Sequence, residues 1–425
     1  MSGAAHEVVI EAIGARGDGV AEGAARIFVP LTLPGDRLRV RIVGRRGDGL
    51  AAEPLEWLEE APRARPPCPH FGACGGCQLQ HVPAAQYRAW KRKQVATALA
   101  KHGLPDVGVE PLESTPPAAR RRARLAFERR GAAVRLGFRE RSGHRVIALH
   151  ACPVLVPALV ALLPPLRALL TRMDLARRGG ELEVTASETG VDLQIVTAHP
   201  ASLADREALA AFAEAHDLAR IGWAPGGDVE REPIAQRRPP SVTFEQVRVD
   251  LPAGAFLQAS AAAEGVLRRA VVDAIGGTGR IADLFAGCGT FALPLAAAGR
   301  TVHALEQDRA MLEALQGAAR RAGFERRVTT ERRDLQRAPL AGAELDRFDA
   351  AVMDPPRAGA RAQAAALAAS PVARLAMVSC NPATFARDAR LLVDGGYRCL
   401  WVRPVDAFLW SSRIELVAAF ARELG

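Results

Sequence analysis

The order of apolar and polar positions divides the chain into three parts. Residues 7–60 alternate apolar and polar positions between glycine turns, and several short strands of this kind predict a small β-barrel over residues 1–60. Residues 61–250 mix strand-like runs with helix-like segments, which predicts a central α/β domain. Over residues 251–425, and most regularly beyond Glu264, apolar strands alternate with Ala- and Leu-rich helices. This alternation predicts a doubly wound parallel sheet, so the fold class is α/β.

Length and charge refine this division. A chain of 425 residues exceeds one ordinary hydrophobic core, so more than one domain is expected. The stretch from Arg88 to Arg145 holds 15 Lys or Arg and 5 Asp or Glu, whereas the whole chain is only +9. This concentration predicts a surface for a polyanion; a solvated face with scattered counterions is the alternative. In the predicted strand at 37–43, Arg37, Arg39 and Arg41 share one face because side chains alternate along a strand. These arginines predict a further stripe of contacts with the polyanion.

Neither the first eleven residues nor the uncharged run at 146–166 indicates a membrane protein. The first eleven residues lack the apolar core of a signal peptide, so we expect a cytoplasmic protein. The uncharged run at 146–166 is interrupted by four prolines, so we expect no transmembrane helix and no membrane partner. Seven cysteines in a reducing compartment favour metal ligation or nucleophilic chemistry over disulfide bonds.

A glycine-containing turn follows the first strand of the predicted parallel sheet. The segment 283–290 reads Asp-Leu-Phe-Ala-Gly-Cys-Gly-Thr, and its two glycines, Gly287 and Gly289, allow backbone to approach a ligand beyond the strand end. The third glycine of a dinucleotide-binding turn is absent, and Asp283 precedes the turn instead. The segment therefore favours a ligand other than a nicotinamide dinucleotide.

Acidic residues end the successive predicted strands. Asp283 suits an ammonium group, Glu306 suits ribose hydroxyls, and Asp334 is placed to accept a hydrogen bond from an adenine amine. Asp354 ends the next strand and opens an Asp-Pro-Pro sequence. S-adenosylmethionine carries all of these groups, so we expect it as the cofactor; a merely structural role for the acids is the alternative.

Cys380 follows a strand of the same sheet and is a candidate nucleophile. A cysteine at a strand end is more often a buried apolar residue, so position alone does not decide its role. Carbon 5 of uracil is a weak nucleophile, and thiolate addition at carbon 6 would activate it. The methylated adduct then needs a base to remove the carbon-5 proton; Glu415, which opens the last apolar strand, is the candidate base. An edge-strand surface glutamate is the alternative.

Three segments together resemble the bacterial RNA (uracil-5-)-methyltransferase family, especially its iron–sulfur ribosomal RNA branch. They are the turn at 283–291, the sequence Asp-Pro-Pro-Arg-Ala-Gly at 354–359, and the run Val-Ser-Cys-Asn-Pro-Ala-Thr-Phe-Ala-Arg-Asp at 378–388. The resemblance covers nearly the whole chain. It implies a TRAM-type (OB-like) barrel at the N-terminus, a central iron–sulfur domain and a C-terminal Rossmann-like methyltransferase domain. It also implies RNA as the partner, and we expect a monomer.

The resemblance also implies roles for individual residues. Cys380 would be the nucleophile and Glu415 the base, while Phe256 would stack on the target base. The cofactor or active-site ligands would be Gln258, Asp283, Glu306 and Asp354. The chain departs from the family pattern at Ser260 and Gly317, where the family has asparagine, and at 410–413, which replace a His-Thr-x-His sequence.

A cysteine cluster lies in the predicted central domain. Three cysteines with the spacing Cys68-x5-Cys74-x2-Cys77 form a compact loop, and Cys152 supplies a fourth ligand. Four thiolates serve structural zinc or an iron–sulfur cluster equally well. The resemblance implies a [4Fe-4S] cluster.

Three other functions share some of these sequence features. A cytosine-5 methyltransferase carries its nucleophile in the Asp-Pro-Pro region, and an amino-methyltransferase an aromatic residue after Pro-Pro; this chain has Arg357. A redox-sensing iron–sulfur RNA-binding protein would explain the cysteine cluster but not Cys380 and Glu415. The sequence leaves open whether the RNA is ribosomal, which the cluster favours by resemblance, or transfer RNA.

Overall fold

The computed structural model describes residues 5–131, 133–226, 231–277 and 279–422. Its first sheet contains the strands β1 (Ala5–Val9), β2 (Ala12–Ile13), β3 (Gly19–Ala21), β4 (Ile27–Val29), β5 (Arg37–Arg46) and β6 (Gly49–Glu59). The strand order is β1-β5-β6-β4-β3-β2. Since β1 and β2 occupy opposite edges although only two residues separate them, the sheet curls back on itself around a small apolar core that includes Val29, Leu38 and Val40.

The arginine stripe predicted for the first sheet carries no free positive charge. Its three arginines do share one face of β5. Each forms an ion pair with glutamate: Arg37 with Glu7 and Glu59, Arg39 with Glu56, and Arg41 with Glu53. A polyanion would have to compete with these carboxylates, so this stripe is a weaker RNA surface than the sequence predicts.

A second six-stranded sheet follows, with the order β13-β12-β11-β10-β8-β9. This part of the chain contains α1 (Ala84–Lys101), β7 (Glu113–Ser114), β8 (Arg122–Arg130), β9 (Ala133–Gly137), α2 (Pro157–Ala161), α3 (Leu163–Arg172), β10 (Gly180–Ser187), β11 (Gly190–Val196), α4 (Leu203–Ala215), β12 (Arg220–Ala224) and β13 (Glu232–Gln236). A two-stranded hairpin, β14 (Ser241–Phe244) and β15 (Val247–Asp250), comes next. Within the described ranges no helix combines the length and apolar character needed to cross a membrane.

The third sheet has eight strands in the order β18-β17-β16-β19-β20-β22-β21-β7. Its elements are α5 (Ala261–Ile275), β16 (Arg280–Leu284), α6 (Ala292–Ala297), β17 (Thr301–Glu306), α7 (Arg309–Arg321), β18 (Val328–Arg332), a one-turn 3-10 helix (Gly342–Glu344), β19 (Ala350–Met353), α8 (Arg361–Ala368), β20 (Arg374–Ser379), α9 (Pro382–Asp394), β21 (Arg398–Asp406) and β22 (Glu415–Ala421). Large apolar cores cover both faces, as in a doubly wound α/β fold.

The third sheet differs from an all-parallel sheet at one edge. The five strands from β18 to β20 are parallel to their neighbours, whereas β22 is antiparallel to both β20 and β21. Only residues 407–414 connect β21 to β22, and such a short connection between adjacent strands requires an antiparallel pair. The edge strand β7, which lies in the predicted central region, also pairs with this sheet.

The basic stretch that follows α1 ties the second and third sheets together. The Arg121 amide donates to Ala259 O, and the Arg121 guanidinium pairs with Glu264 at the start of α5. Both side chains are buried. Arg121 is therefore a structural ion pair, and the part of the basic stretch that a polyanion can reach is smaller than the sequence count.

Candidate active site

Two carboxyl groups meet at the ends of the central parallel strands. Asp283, near the end of β16, is fully buried. In the described part of the chain, neither of its oxygens accepts a hydrogen bond of normal distance and angle. Burial, and then the neighbouring Asp354, raise the pKa of Asp283 to about 8, although the nearby amide of Ala292 lowers it. An apolar site holding an unpartnered carboxyl group favours a cationic ligand.

Asp354 follows β19 and is linked to a residue outside the sheet. Gln258 is buried and donates from its Nε2 to Asp354 Oδ2 at 3.2 Å. Burial raises the pKa of Asp354 to about 7, and the Gln258 hydrogen bond acts in the opposite direction. The structure thus brings Gln258, Asp283 and Asp354 together, as the resemblance implies.

The glycine turn after β16 is fixed by the acid that ends β17. Glu306 Oε2 accepts from the Gly287 amide at 2.9 Å, and its other oxygen accepts from the amides of Gln307 and Asp308. Gly287 and Gly289 both have positive φ, and a Cβ on Gly289 would lie 2.5 Å from Leu315 Cδ1. Glycine is therefore required at 289, and Glu306 has a structural role in addition to any contact with a ligand.

Asp334 lies apart from this group. It follows β18, where its Oδ1 accepts from the Gln336 amide at 3.0 Å and its Oδ2 pairs with Arg337 at 3.4 Å. The contacts described for Asp334 are thus within its own turn, and its side chain is partly exposed at the edge of the sheet.

Cys380 and Glu415 are brought together by the pairing of β20 with β22. Ser379 is paired with Leu416 in antiparallel register, so Cys380, the next residue, and Glu415, the preceding one, are neighbours at the strand ends. Glu415 is buried. Burial and then Asp354 raise its pKa to about 8, while Arg413 and Lys91 lower it.

The Cys380 thiol is protonated in the resting site. Burial raises its pKa to about 11, the nearby Glu415 and Asp354 add to this effect, and Arg357 lowers it. A thiol in this state is a poor nucleophile until its proton is removed. Its neighbours, a carboxyl group and an arginine, are the groups that a covalent mechanism needs.

Cys380 lies in the wall of a large cleft of about 1380 Å³. Residues of the first sheet, of the cysteine loop, of α1 and of the third sheet all contribute to this wall. Its basic side chains are Arg16, Arg46, Lys101, Arg120, Arg124, Arg141, Arg357 and Arg413. The cleft therefore offers a largely basic path to Cys380, although Asp18 and Glu53 also line it.

Phe256 is an exposed aromatic residue two positions before Gln258. Its side chain is 60% exposed, and the Arg122 guanidinium lies over its ring at 4.9 Å. A large exposed ring stacked on an arginine suits contact with a planar base. The resemblance implies this role for Phe256, whereas the sequence distinguishes its partner Arg122 only as one member of the basic stretch.

The four predicted metal ligands line one small cavity: Cys68, Cys74, Cys77 and Cys152. Burial raises the pKa of the Cys77 thiol to about 12, and the other three cysteines add to this effect. In the part of the chain that the structure describes, no group of three or more His, Cys, Asp or Glu side chains is arranged to hold a metal ion. Arg120 borders both this cavity and the large cleft.

Sequence reasoning missed a buried polar network beside the active site. Lys91, counted in the basic stretch, is fully buried and pairs with the equally buried Asp406 at 2.9 Å. Tyr87 donates to the same carboxylate at 2.6 Å. The spacing of Tyr87 and Lys91, one helical turn apart, is the only signal in the sequence that they share a face.

Comparisons with known proteins give full-length relatives. The chain is 42% identical over 426 residues to an uncharacterized RNA methyltransferase of Caulobacter vibrioides, covering 98% of this chain and 100% of the relative. It is 34% identical over 427 residues to the 23S rRNA (uracil(1939)-C(5))-methyltransferase RlmD of Chromohalobacter salexigens, covering 97% and 89%. No protein-family profile matches the chain.

A solved structure shares the fold. The tRNA (uracil-54, C5)-methyltransferase of Pyrococcus abyssi, in complex with S-adenosyl-L-homocysteine, superimposes with a TM-score of 0.78. The alignment covers 98% of this chain and 99% of that one, with 23% sequence identity. At this identity the likeness concerns the fold.

The electrostatics of Cys380 predict its alkylation behaviour. Because its thiol pKa is about 11, Cys380 should react slowly with iodoacetamide at pH 8 and progressively faster as the pH rises. Glu415→Gln removes a charge that raises this pKa, so Cys380 alkylation at pH 9 should increase several-fold. Mass spectrometry of the labelled peptides measures both rates. Cys399, half-buried in the same sheet, is the internal control and should be unaffected; equal Cys380 rates in both proteins would contradict the assignment.

Proposed function

The chain belongs to the family of RNA methyltransferases, and we propose that it transfers a methyl group from S-adenosylmethionine to carbon 5 of a uracil in RNA. The observation that carries this proposal is the placement of Cys380 next to Glu415 at the end of a basic cleft, beside buried carboxyl groups. The RlmD relative, which by its name acts on 23S rRNA, favours ribosomal RNA as the substrate. Transfer RNA is the alternative.

The residues present fit the proposed cofactor. Asp283 is a buried acid without a hydrogen-bond partner at full geometry, and the ammonium group of S-adenosylmethionine would compensate its charge. Asp354 and Gln258 would lie at the same end of the ligand as Asp283. Glu306, beside Gly287 and Gly289, would accept hydrogen bonds from the ribose hydroxyls. Asp334 would accept a hydrogen bond from the adenine amine. When bound, S-adenosylmethionine supplies an electrophilic methyl group.

The proposed reaction proceeds through a covalent adduct. The Cys380 thiol loses its proton to solvent in the cleft, and the thiolate adds to carbon 6 of the uracil, so that the electron pair released at carbon 5 forms an enolate. Carbon 5 then takes the methyl group while still holding its original proton, and S-adenosylhomocysteine is left as the product of the donor. Glu415 removes that proton, the carbon 5–carbon 6 double bond reforms, and the Cys380 thiolate leaves. Arg357, which lowers the pKa of Cys380, favours the thiolate before addition.

We assign RNA binding to the parts that surround the cleft. Residues 1–60 would form a TRAM-type barrel and residues 61–250 a central domain, while residues 251–425 would carry the reaction. Four arginines line the cleft around Cys380: Arg16 in the turn between β2 and β3, Arg46 at the end of β5, Arg120 just before β8, and Arg124 in β8. Phe256, supported by Arg122, would stack on the target base once that base has left the RNA stack. The protein would act as a monomer.

The proposed [4Fe-4S] cluster would be held by Cys68, Cys74, Cys77 and Cys152. The four cysteines line one cavity, and four thiolates could serve either zinc or an iron–sulfur cluster. The resemblance to the iron–sulfur branch is what favours the cluster. Within this proposal the cluster shapes the protein and takes no part in methyl transfer.

Ligand binding tests the role of Asp283. Its pKa of about 8 means that a proton competes with the ligand below that pH. Affinity for S-adenosylhomocysteine should therefore fall between pH 8 and pH 6, by up to about tenfold per unit. Asp283→Asn should bind more weakly and show little pH dependence in isothermal titration calorimetry. Asp334→Asn, a change at another strand end, should keep the pH dependence; absence of any binding by the unaltered protein would refute the cofactor assignment.

The covalent mechanism predicts different defects for its two groups. Cys380→Ala should give neither methylated RNA nor a protein–RNA adduct. In Glu415→Gln, Cys380 should still add to the uracil and carbon 5 should still be methylated, but the carbon-5 proton should not be removed. The methylated RNA should therefore remain attached to Cys380, and the adduct should appear on denaturing gels as a band that disappears slowly. Turnover should fall by about two to four orders of magnitude, the usual effect of losing a general base. Cys399→Ala should behave like the unaltered protein, and normal turnover in Glu415→Gln would remove Glu415 from the mechanism.

The cysteine cavity predicts a metal content. Protein purified without oxygen should be brown and contain about four irons per chain. Cys77→Ser should lose most of this iron, because a ligand is removed, whereas Cys399→Ser should keep it. Metal analysis together with the visible absorbance spectrum measures both. Stoichiometric zinc without iron would overturn the cluster assignment.

A further inference from the structure

The segment that precedes Glu415 is held from both ends by one buried ammonium group. This segment, residues 407–414, connects β21 to β22. Lys91 of α1 donates from its Nζ to Asp406 Oδ1 at 2.9 Å and to Phe408 O at 3.4 Å, and it also donates to Arg413 O. Because these acceptors lie before, at the start of and near the end of the segment, Lys91 fixes the path of the backbone into Glu415.

Tyr87, one turn earlier on α1, completes the network. Its hydroxyl donates to Asp406 Oδ2 at 2.6 Å and accepts from the Trp410 amide at 2.8 Å. Trp410 has a φ of +58°, which a residue with a side chain adopts only when its surroundings hold it there. The two side chains of α1 therefore hold the middle of the segment as well as its ends.

Lys91 also acts on Glu415 through its charge. The charged or titratable groups around Glu415 include Asp354, Cys380, Arg413 and Lys91, and Lys91 is itself paired with the buried Asp406 next to Val405, the strand partner of Glu415. Asp354 raises the pKa of Glu415, whereas Arg413 and Lys91 lower it. Arg413 is exposed and is screened by solvent and salt, but Lys91 is fully buried and is not. Burying a lysine is costly, and an apolar residue would fill the same space at less cost.

We infer that Lys91 is a positioning residue for Glu415: it fixes the backbone that presents the carboxyl group to the substrate and favours the ionised form that accepts the carbon-5 proton. This inference rests on the proposed function. It separates Lys91 from the RNA-binding lysines and arginines, because its side chain does not reach the cleft surface. Other residues of the same helix, Gln94, Thr97 and Lys101, do line the cleft, so bound RNA would contact the helix that holds the base in place.

The test isolates the step that needs the base. The Cys380–RNA adduct is formed with S-adenosylmethionine, excess cofactor is removed, and the release of methylated RNA is followed at several pH values. With Lys91→Met, release near pH 7 should slow by about 10- to 100-fold, less than the complete loss of a base. The pH at which release reaches half its maximum should rise by about one unit or more, because a positive charge beside Glu415 is lost.

Matched variants separate this effect from a general loss of charge or structure. Lys93→Met removes an exposed lysine of the same helix that does not line the cleft, and because the RNA is already covalently attached, this variant should release it at the unaltered rate and pH. Circular dichroism and S-adenosylhomocysteine affinity establish that Lys91→Met is folded. If it does not fold, Tyr87→Phe, which loses only the hydroxyl between Asp406 and Trp410, should slow release in the same direction to a smaller extent.

The outcomes also distinguish this inference from the proposed function. If the unaltered protein forms no adduct and methylates no uracil, the proposed function itself fails. If adduct forms and Glu415→Gln retains it, but folded Lys91→Met releases RNA at the unaltered rate and pH, Lys91 is not a positioning residue. A Tyr87→Phe protein that releases RNA at the unaltered rate, where Lys91→Met does not fold, would overturn the inference equally.

Discussion

The antiparallel pairing of β20 with β22 is the constraint on which the candidate site depends. The chain leaves β20 at Cys380 and returns 35 residues later at Glu415, after α9 and β21. The register that pairs Ser379 with Leu416 then leaves these two residues side by side at the strand ends. A shift by one residue would turn the Glu415 side chain to the opposite face of the sheet. At its carboxyl end, a parallel strand contributes a residue of its own chain end. Because β22 runs antiparallel, its first residue, Glu415, lies at this same end of the sheet beside Cys380.

The same edge brings buried carboxyl groups together, and their negative charges need compensation by cations. The charge of Asp354 raises the pKa values of both Asp283 and Glu415, and burial removes the water that would solvate all three carboxyl groups. Without a cation the site favours protonated carboxyl groups. A cationic cofactor would compensate Asp283, while Arg413 and Lys91 act on Glu415. The ionisation of Glu415, the proposed base, therefore depends on charges from two separate parts of the chain.

Local features were predictable from the sequence, whereas pairings between distant residues were not. The parallel strands at 280–284, 301–306 and 374–379 lie in the part of the chain where the sequence predicts apolar strands alternating with helices, because apolar runs bounded by turns define them. The burial of Lys91 depends on Asp406, 315 positions away, and that of Arg121 on Glu264, 143 positions away. Counting charges along the chain cannot distinguish such buried pairs from the exposed arginines of the cleft.

The cysteine loop is hydrogen-bonded to the segment that leads to Glu415. The backbone amides of Gln78 and Leu79 donate to Trp410 O, and the Gln78 side chain accepts from the Ser412 amide at 3.2 Å. Gln78 follows Cys77 directly, so the loop that would bind the cluster contacts the segment leading to Glu415. Any ligand that binds only the folded loop stabilises the structure to which that loop belongs. If the proposed cluster binds in this cavity, it would therefore stabilise the segment that leads to Glu415 without exchanging an electron, and this would account for an iron–sulfur site in an enzyme whose proposed reaction is not redox.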